Sequence, residues 1–221
     1  MYRFIILLLI FPPPCYASQL KLTVNSSLVP VLLPFFDDWF QEAGISYEFV
    51  PCSLARCIKI LKNDNSIHGA AARRDGFEKK VSRLSSVGLP YGWLMLYGMN
   101  LHSKAWPPGL HDRISCVRGT YWCEDLIYND VFWVNTHSQA ELMLRKNRVE
   151  WALMTRLNYF PPPVGEWIYI DKAGSFLFLD KKLKDEIGRL TEAQTRLIES
   201  GKWHSMQEEL RKKAALLGNS P

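Results

Sequence analysis

The chain has 221 residues and is 48% hydrophobic, 13% aromatic and 22% charged. That balance supports a buried core and excludes an intrinsically disordered chain. The formal net charge is +5 with no long basic run, which gives no reason to expect nucleic acid as a partner.

Met1-Tyr2-Arg3, the apolar run Phe4 to Phe11, and Cys15-Tyr16-Ala17 follow the pattern of a secretory signal peptide cut after Ala17. The run is far below the ~20 residues that a membrane-spanning helix needs. Pro12-Pro13-Pro14 lies unusually close to the cut. Residues 1–17 are therefore expected to be removed, leaving an exported, periplasmic protein.

Leu20 to Val24 alternates as a first strand, and Asn25-Ser26-Ser27 reads as a turn or helix start. Val31, Leu32, Phe35, Phe36, Trp39 and Phe40 recur at helical spacing, and Gly44 ends that helix. Tyr47 to Pro51 is a second strand. Leu54, Cys57, Ile58 and Leu61 mark a second helix, which Asn63-Asp64-Asn65 terminates. Ile67 to Ala72 is short, apolar and small, as an interior strand requires, and Arg73 and Arg74 emerge at its carboxyl end. In open α/β sheets that end is where ligands bind. A polar loop with Glu78-Lys79-Lys80 follows, then Leu89-Pro90-Tyr91-Gly92 and the apolar strand Trp93 to Met99.

Beyond the break at Trp106-Pro107-Pro108-Gly109, Arg113 to Arg118 is a strand. Gly119-Thr120-Tyr121-Trp122 then opens a helix running to Tyr128. Gly permits close backbone approach, and a helix start offers free N–H groups. Val131 to Val134 is a strand, Ser138 caps the helix Gln139 to Arg145, and Glu150 to Thr155 is a strand. Pro161-Pro162-Pro163 stiffens a loop. Trp167 to Ile170 and Ser175 to Leu179 read as two strands, followed by helices Leu183 to Glu199 and Ser205 to Leu216 around a break at Ser200-Gly201-Lys202-Trp203. Alternating strands and helices indicate a parallel α/β architecture.

The order of these pieces resembles the extracytoplasmic solute-binding proteins of family 3, the amino-acid-type receptors of bacterial ABC importers. Gly69-Ala70-Ala71-Ala72-Arg73, Glu78-Lys79-Lys80, Leu89-Pro90-Tyr91 and Arg118-Gly119-Thr120 stand where that family has its cleft motifs. The resemblance implies an α/β, two-lobe periplasmic-binding-protein type II fold with two crossover strands. Lobe 1 would be residues 18–99 plus 175–221, and lobe 2 residues 100–174. It implies a monomer that binds a small molecule and meets an inner-membrane permease or sensor protein.

The same resemblance points to Arg73, Lys80, Tyr91, Gly119, Thr120, Tyr121 and Thr155 as cleft residues. Arg73 is the favoured anchor for a ligand acid group, because strand ends are better fixed than loops. Where the family places an acid for the ligand ammonium, this chain has Thr155 and Arg156. The segment after the first strand is also shorter than in the family, with Ser26 and Ser27 as its obvious polar groups. Arg118 and Arg156 add positive charge near the mouth of lobe 2. The expected ligand is anionic or neutral, bound for transport or sensing. A degenerate cleft serving a non-transport sensor or adaptor is the alternative.

Four cysteines follow the predicted cut, and four allow three connectivities. The local pairs Cys52–Cys57 and Cys116–Cys123 are expected, because a cross pairing would tie the lobes together and block their hinge. The spacings do not fit a zinc ribbon at both pairs, so no metal and no cofactor are expected. His68, His102, His111, His137 and His204 sit beside polar or turn residues and read as surface histidines. No catalytic motif stands out, so the chain is not expected to be an enzyme.

Overall fold

The computed structural model of the protein describes residues 19–102, 106–126, 130–161, 163 and 166–218. The predicted signal peptide lies outside the described residues. The chain runs β1 (Leu20–Asn25), a 3-10 turn at Ser26–Leu28, α1 (Val29–Ala43), β2 (Tyr47–Cys52), α2 (Leu54–Asn63) and β3 (Gly69–Arg74). A second 3-10 turn at Phe77–Lys79 leads into β4 (Leu84–Met99). Then come β5 (Ile114–Val117), α3 (Tyr121–Asp125), β6 (Val131–Val134), α4 (His137–Arg145), β7 (Trp151–Leu157), β8 (Trp167–Asp180), α5 (Lys184–Glu199) and α6 (Lys202–Gly218).

The strands hydrogen-bond in the order β2-β1-β3-β8-β4-β7-β5-β6. Two long strands join the halves. The carboxyl half of β8, Ser175 to Leu179, pairs with β3, whereas Leu94 to Met99 of β4 pairs with β7. β4 and β8 pair with each other along most of their lengths. Each half then repeats one arrangement, parallel strands flanked by the two antiparallel crossovers.

In the first half both sheet faces are buried, so its central strands carry apolar residues at successive positions. Ala71, Leu177 and Leu179 face one core with Leu22, Phe36, Trp39, Leu190 and Trp203. Ala70 and Phe178 face the other with Leu61, Phe77 and Leu84. α1, α5 and α6 pack together on the first of these faces. Gly44 closes α1 in the left-handed conformation, as its position suggested. The second half rests on smaller clusters, one around Trp151, Leu96 and Ile114 and one around Met99, Ala140 and Leu144.

Several details differ from the sequence reading. The helix after Gly119-Thr120 ends at Asp125, and α6 already starts at Lys202, inside the expected break. Three further differences concern strands and a cap. Leu84 to Met99 is one strand, with the Gly88 to Tyr91 stretch absorbed as an irregularity in its pairing with β8. The two segments read as separate strands, Trp167 to Ile170 and Ser175 to Leu179, are one strand as well. α4 begins at His137 rather than Gln139, because the Thr136 side chain, not Ser138, accepts the Gln139 N–H. Both expected cysteine pairs are present, with Cα atoms 5.4 Å apart for Cys52–Cys57 and 6.4 Å apart for Cys116–Cys123.

Candidate functional site

A cleft lies between the two halves, and its first wall is set by the end of β3. The pairing of β3 with β8 slips between Ala70 and Arg73, and Ala72 has φ 55°, in the left-handed region. A bulge of this kind re-aims the side chains beside it. A non-glycine residue there is strained and persists only when its surroundings hold it. Here the holding group is the Tyr91 hydroxyl, which accepts the Ala72 N–H at 2.7 Å. Tyr91 is itself fixed, since its carbonyl accepts hydrogen bonds from the Tyr159 hydroxyl and the Gln207 side chain.

The consequence is the position of Arg73. Its residue is 6% exposed, and its Nε and one terminal nitrogen are buried without a hydrogen-bond partner. Its guanidinium lies 5.5 Å from the centre of the Phe77 ring. Burial, offset a little by Tyr91, lowers its pKa to about 10, so it stays charged at neutral pH. A buried cation with unfilled donors is costly unless something anionic meets it.

The second wall is the turn after β5. Gly119 has φ 86°, and a Cβ there would lie 2.9 Å from the backbone of Leu54 and Ala55 at the start of α2. The glycine therefore lets the two walls touch. Thr120 follows, 5% exposed, with a buried hydroxyl that has no partner. Tyr121 carries two cations from the first wall over its ring, Arg74 at 3.6 Å and Lys80 at 4.3 Å. Trp122 lies 4.9 Å from Arg74 and donates to Asp171 on β8 at 2.9 Å. Lys80 also forms an ion pair with Glu124 across the cleft. Each wall is braced by a disulfide, Cys52–Cys57 at the start of α2 and Cys116–Cys123 around the Gly119 turn.

Two adjoining cavities occupy the cleft. The first, about 60 Å³, is lined by Arg73, Arg74, Phe77, Lys80, Thr120 and Tyr121, among others. The second is about 390 Å³ and is lined by Asn25, Ser27, His137, Arg156, Phe160 and Leu157, with others. Leu54, Ala72, Leu94 and Thr155 line both. Among the described residues, neither lining contains an Asp or Glu.

Six of the seven residues singled out from sequence line this cleft: Arg73, Lys80, Gly119, Thr120, Tyr121 and Thr155. Tyr91 does not. It is fully buried among Phe35, Phe36 and Trp39, because the aromatic face of α1 offers its ring a better home than the cleft does. Lys80 is engaged by Glu124 and Tyr121 rather than held out toward a ligand. Arg118 is exposed, whereas Arg156 lines the second cavity and donates to the Pro161 carbonyl at 2.8 Å. The helix after Gly119-Thr120 is only five residues long, so it contributes little dipole. Trp93 is 42% exposed with Lys172 over its ring, and is not core.

Sequence reasoning missed His137. The residue is only partly accessible, and its Nε2 is sealed from solvent with no partner. Burial, with the nearby charge of Arg156 second, lowers its pKa to about 4, so it is neutral at pH 7. A lone histidine at a helix start carries no sequence signal for this, because the cavity is made by chain far away.

No protein-family model matches the sequence, and no curated protein matches it. Solved structures do match in fold. An arginine transport-system periplasmic binding protein from Legionella pneumophila superposes with a TM-score of 0.68 at 14% identity, over 87% of this chain and 99% of that one. A histidine kinase sensor domain with similarity to periplasmic binding proteins gives 0.67 at 12% identity, over 87% and 96%. An amino acid ABC transporter substrate-binding protein from Streptococcus pneumoniae, bound to L-arginine, gives 0.64 at 12%, over 89% and 95%. The chain thus has the two-lobe periplasmic-binding-protein fold with two crossover strands.

Proposed function

We propose that this chain is a periplasmic solute-binding protein that captures a small anionic or neutral ligand between its lobes. One observation carries the reading. Arg73 presents to the cleft a guanidinium with two buried nitrogens that have no hydrogen-bond partner, and the described cleft lining has no carboxylate. An α-amino acid brings an ammonium as well as a carboxylate, and the ammonium would find Thr155 and Arg156 where an acid is needed. Common L-α-amino acids therefore bind poorly, although several proteins of the same fold are described as arginine-binding. Arg73 holds the ligand acid group, Thr120 adds a hydroxyl, and Gly119 and Tyr121 complete the closed wall.

Closure is a hinge motion of the lobes. The bending points are where β4 and β8 pass from one half to the other, near Gly92 to Leu94 and Ala173 to Ser175. On this reading one lobe ends near residue 93 and resumes at 175–221, and the other takes residues 94–174, a few residues earlier on β4 than the boundary at 99 expected from the sequence. Among the described residues no helix is long and apolar enough to cross a membrane. The partner on this reading is an inner-membrane permease or sensor protein.

The sensor or adaptor reading has support of its own. Protein groups already bridge the cleft, Lys80 to Glu124 and Arg74 to Tyr121, so closure does not rest on a ligand alone. The likeness to a kinase sensor domain points the same way. A thermal-shift screen of amino acids, organic acids and aromatic acids tests the proposal. Stabilisation by acids that Arg73→Ala removes is the expected result. Strong stabilisation by an unmodified amino acid, unaffected by Arg73→Ala, would overturn it.

A further inference from the structure

We propose that the second cavity is a second anion subsite, and that the ligand is a linear molecule with an acid group at each end and an apolar middle. The inference rests on the solute-binding reading above and makes its ligand class specific.

The cavity around His137 and Arg156 is the roomier of the two, at about 390 Å³. That lies within the size range of small-molecule sites, which combine mostly apolar walls with a few directed polar groups. Leu28, Pro30, Leu157 and Phe160 supply the apolar wall. The directed groups are Arg156 and His137. Arg156 spends one terminal nitrogen on the Pro161 carbonyl. The sealed Nε2 of His137 has no partner, and such a group costs free energy until a ligand satisfies it. The imidazole stays neutral at pH 7, so it offers a hydrogen bond and leaves the charge to Arg156.

The waist between the cavities decides the shape of the ligand. Leu54, Ala72, Leu94 and Thr155 line both sides, and three of these four are apolar. A ligand that reaches from Arg73 to Arg156 must therefore pass an apolar collar. With a cation at each end and no acid in either described lining, a zwitterion leaves one end mismatched. A dianion with a hydrocarbon spacer matches both ends and the collar. The Asn25 side chain, at the mouth near Ser27, is occupied in capping the 3-10 turn and does not compete for the ligand.

The test compares linear α,ω-dicarboxylates, from succinate to azelate, with monocarboxylates of equal length, by isothermal titration calorimetry on the exported protein. One dicarboxylate length should bind about tenfold or more tighter than its monocarboxylate, the discrimination that a hydrogen bond to a charged group provides. In Arg156→Gln that ratio should fall toward one, and Arg156→Lys should keep part of it. Melting curves of each variant without ligand separate loss of the subsite from loss of the fold. If mono- and dicarboxylates bind equally and both depend on Arg73, the two-headed ligand is wrong while the solute-binding reading stands. If neither class binds, the two-headed ligand and the anionic form of the solute-binding reading are both wrong.

Discussion

The two walls of the cleft are built from the same parts with different support. Each has a residue in the left-handed region, Ala72 or Gly119, followed at once by a buried polar group without a partner, Arg73 or Thr120. Each has a short disulfide beside it. Behind the first wall stands a continuous aromatic core, with Tyr91 wedged among Phe35, Phe36 and Trp39. Behind the second are two small clusters. The difference assigns roles. A buried cation with unfilled donors and a strained alanine need a stiff backing, and the first wall, which carries the proposed anchor Arg73, has it. The second wall uses glycine, which bears a positive φ at no steric cost, and it is the side suited to move.

The largest expected effect belongs to the half that carries the second wall, at His137 in the second cavity. His137 carries a depressed pKa of about 4 in the folded state, caused first by burial and then by Arg156. Unfolding frees it to bind a proton at its ordinary value of 6.5. Its contribution is thus complete above about pH 6.5 and is lost as pH falls toward about 4, by up to about 3 kcal/mol. Urea unfolding of the wild type and His137→Gln across that window reads the difference. Equal pH slopes would mean that the imidazole is not sequestered.

Next comes the brace of the first wall. Tyr91→Phe leaves the ring in place and removes the acceptor of the Ala72 N–H. A loss of about 1–3 kcal/mol is expected for the unsatisfied donor, together with weaker ligand binding. Intact affinity in that variant would show that Arg73 needs no such support. A smaller effect is expected from Gly119→Ala. The left-handed conformation costs an alanine about 1–2 kcal/mol, and its Cβ would press on Leu54 and Ala55. Small-angle scattering should report a more open molecule; an unchanged radius of gyration would deny that Gly119 sets the closed contact.

The smallest effect is the bridge across the cleft. Lys80 and Glu124 are partly exposed, with side chains 19% and 36% accessible, so Lys80→Met should cost under about 1 kcal/mol. Its ligand affinity should change less than that of Arg73→Ala. The reverse order would return Lys80 to the role of anchor.

Much of this was legible in the sequence, and the reasons differ by region. The strands and helices followed their periodicities, and the place of Arg73 at the cleft could be read because it ends a small, apolar strand. The cysteine pairs followed from locality. What failed depended on distant chain. Leu89-Pro90-Tyr91-Gly92 reads as an extended segment ahead of a strand, yet it lies inside one strand whose stretches on either side of it pair with β8, far along the chain. Tyr91 looks like a cleft aromatic, but α1 supplies the ring neighbours that draw it inward. Lys80 looks free until Glu124 is brought beside it. His137 reads as a solvated helix start until Arg156 and Phe160 fold around the same cavity.

The most direct test of the anchor is Arg73→Met, measured by unfolding with and without acidic ligands. The variant removes a buried cation whose Nε and one terminal nitrogen have no partner, while keeping an apolar stem of similar shape. Such strain is tolerated at binding sites at the expense of stability. The ligand-free variant should be at least as stable as the wild type, and stabilisation by organic acids should disappear. A variant that is much less stable without ligand, or that is still stabilised by the same acids, would contradict the account.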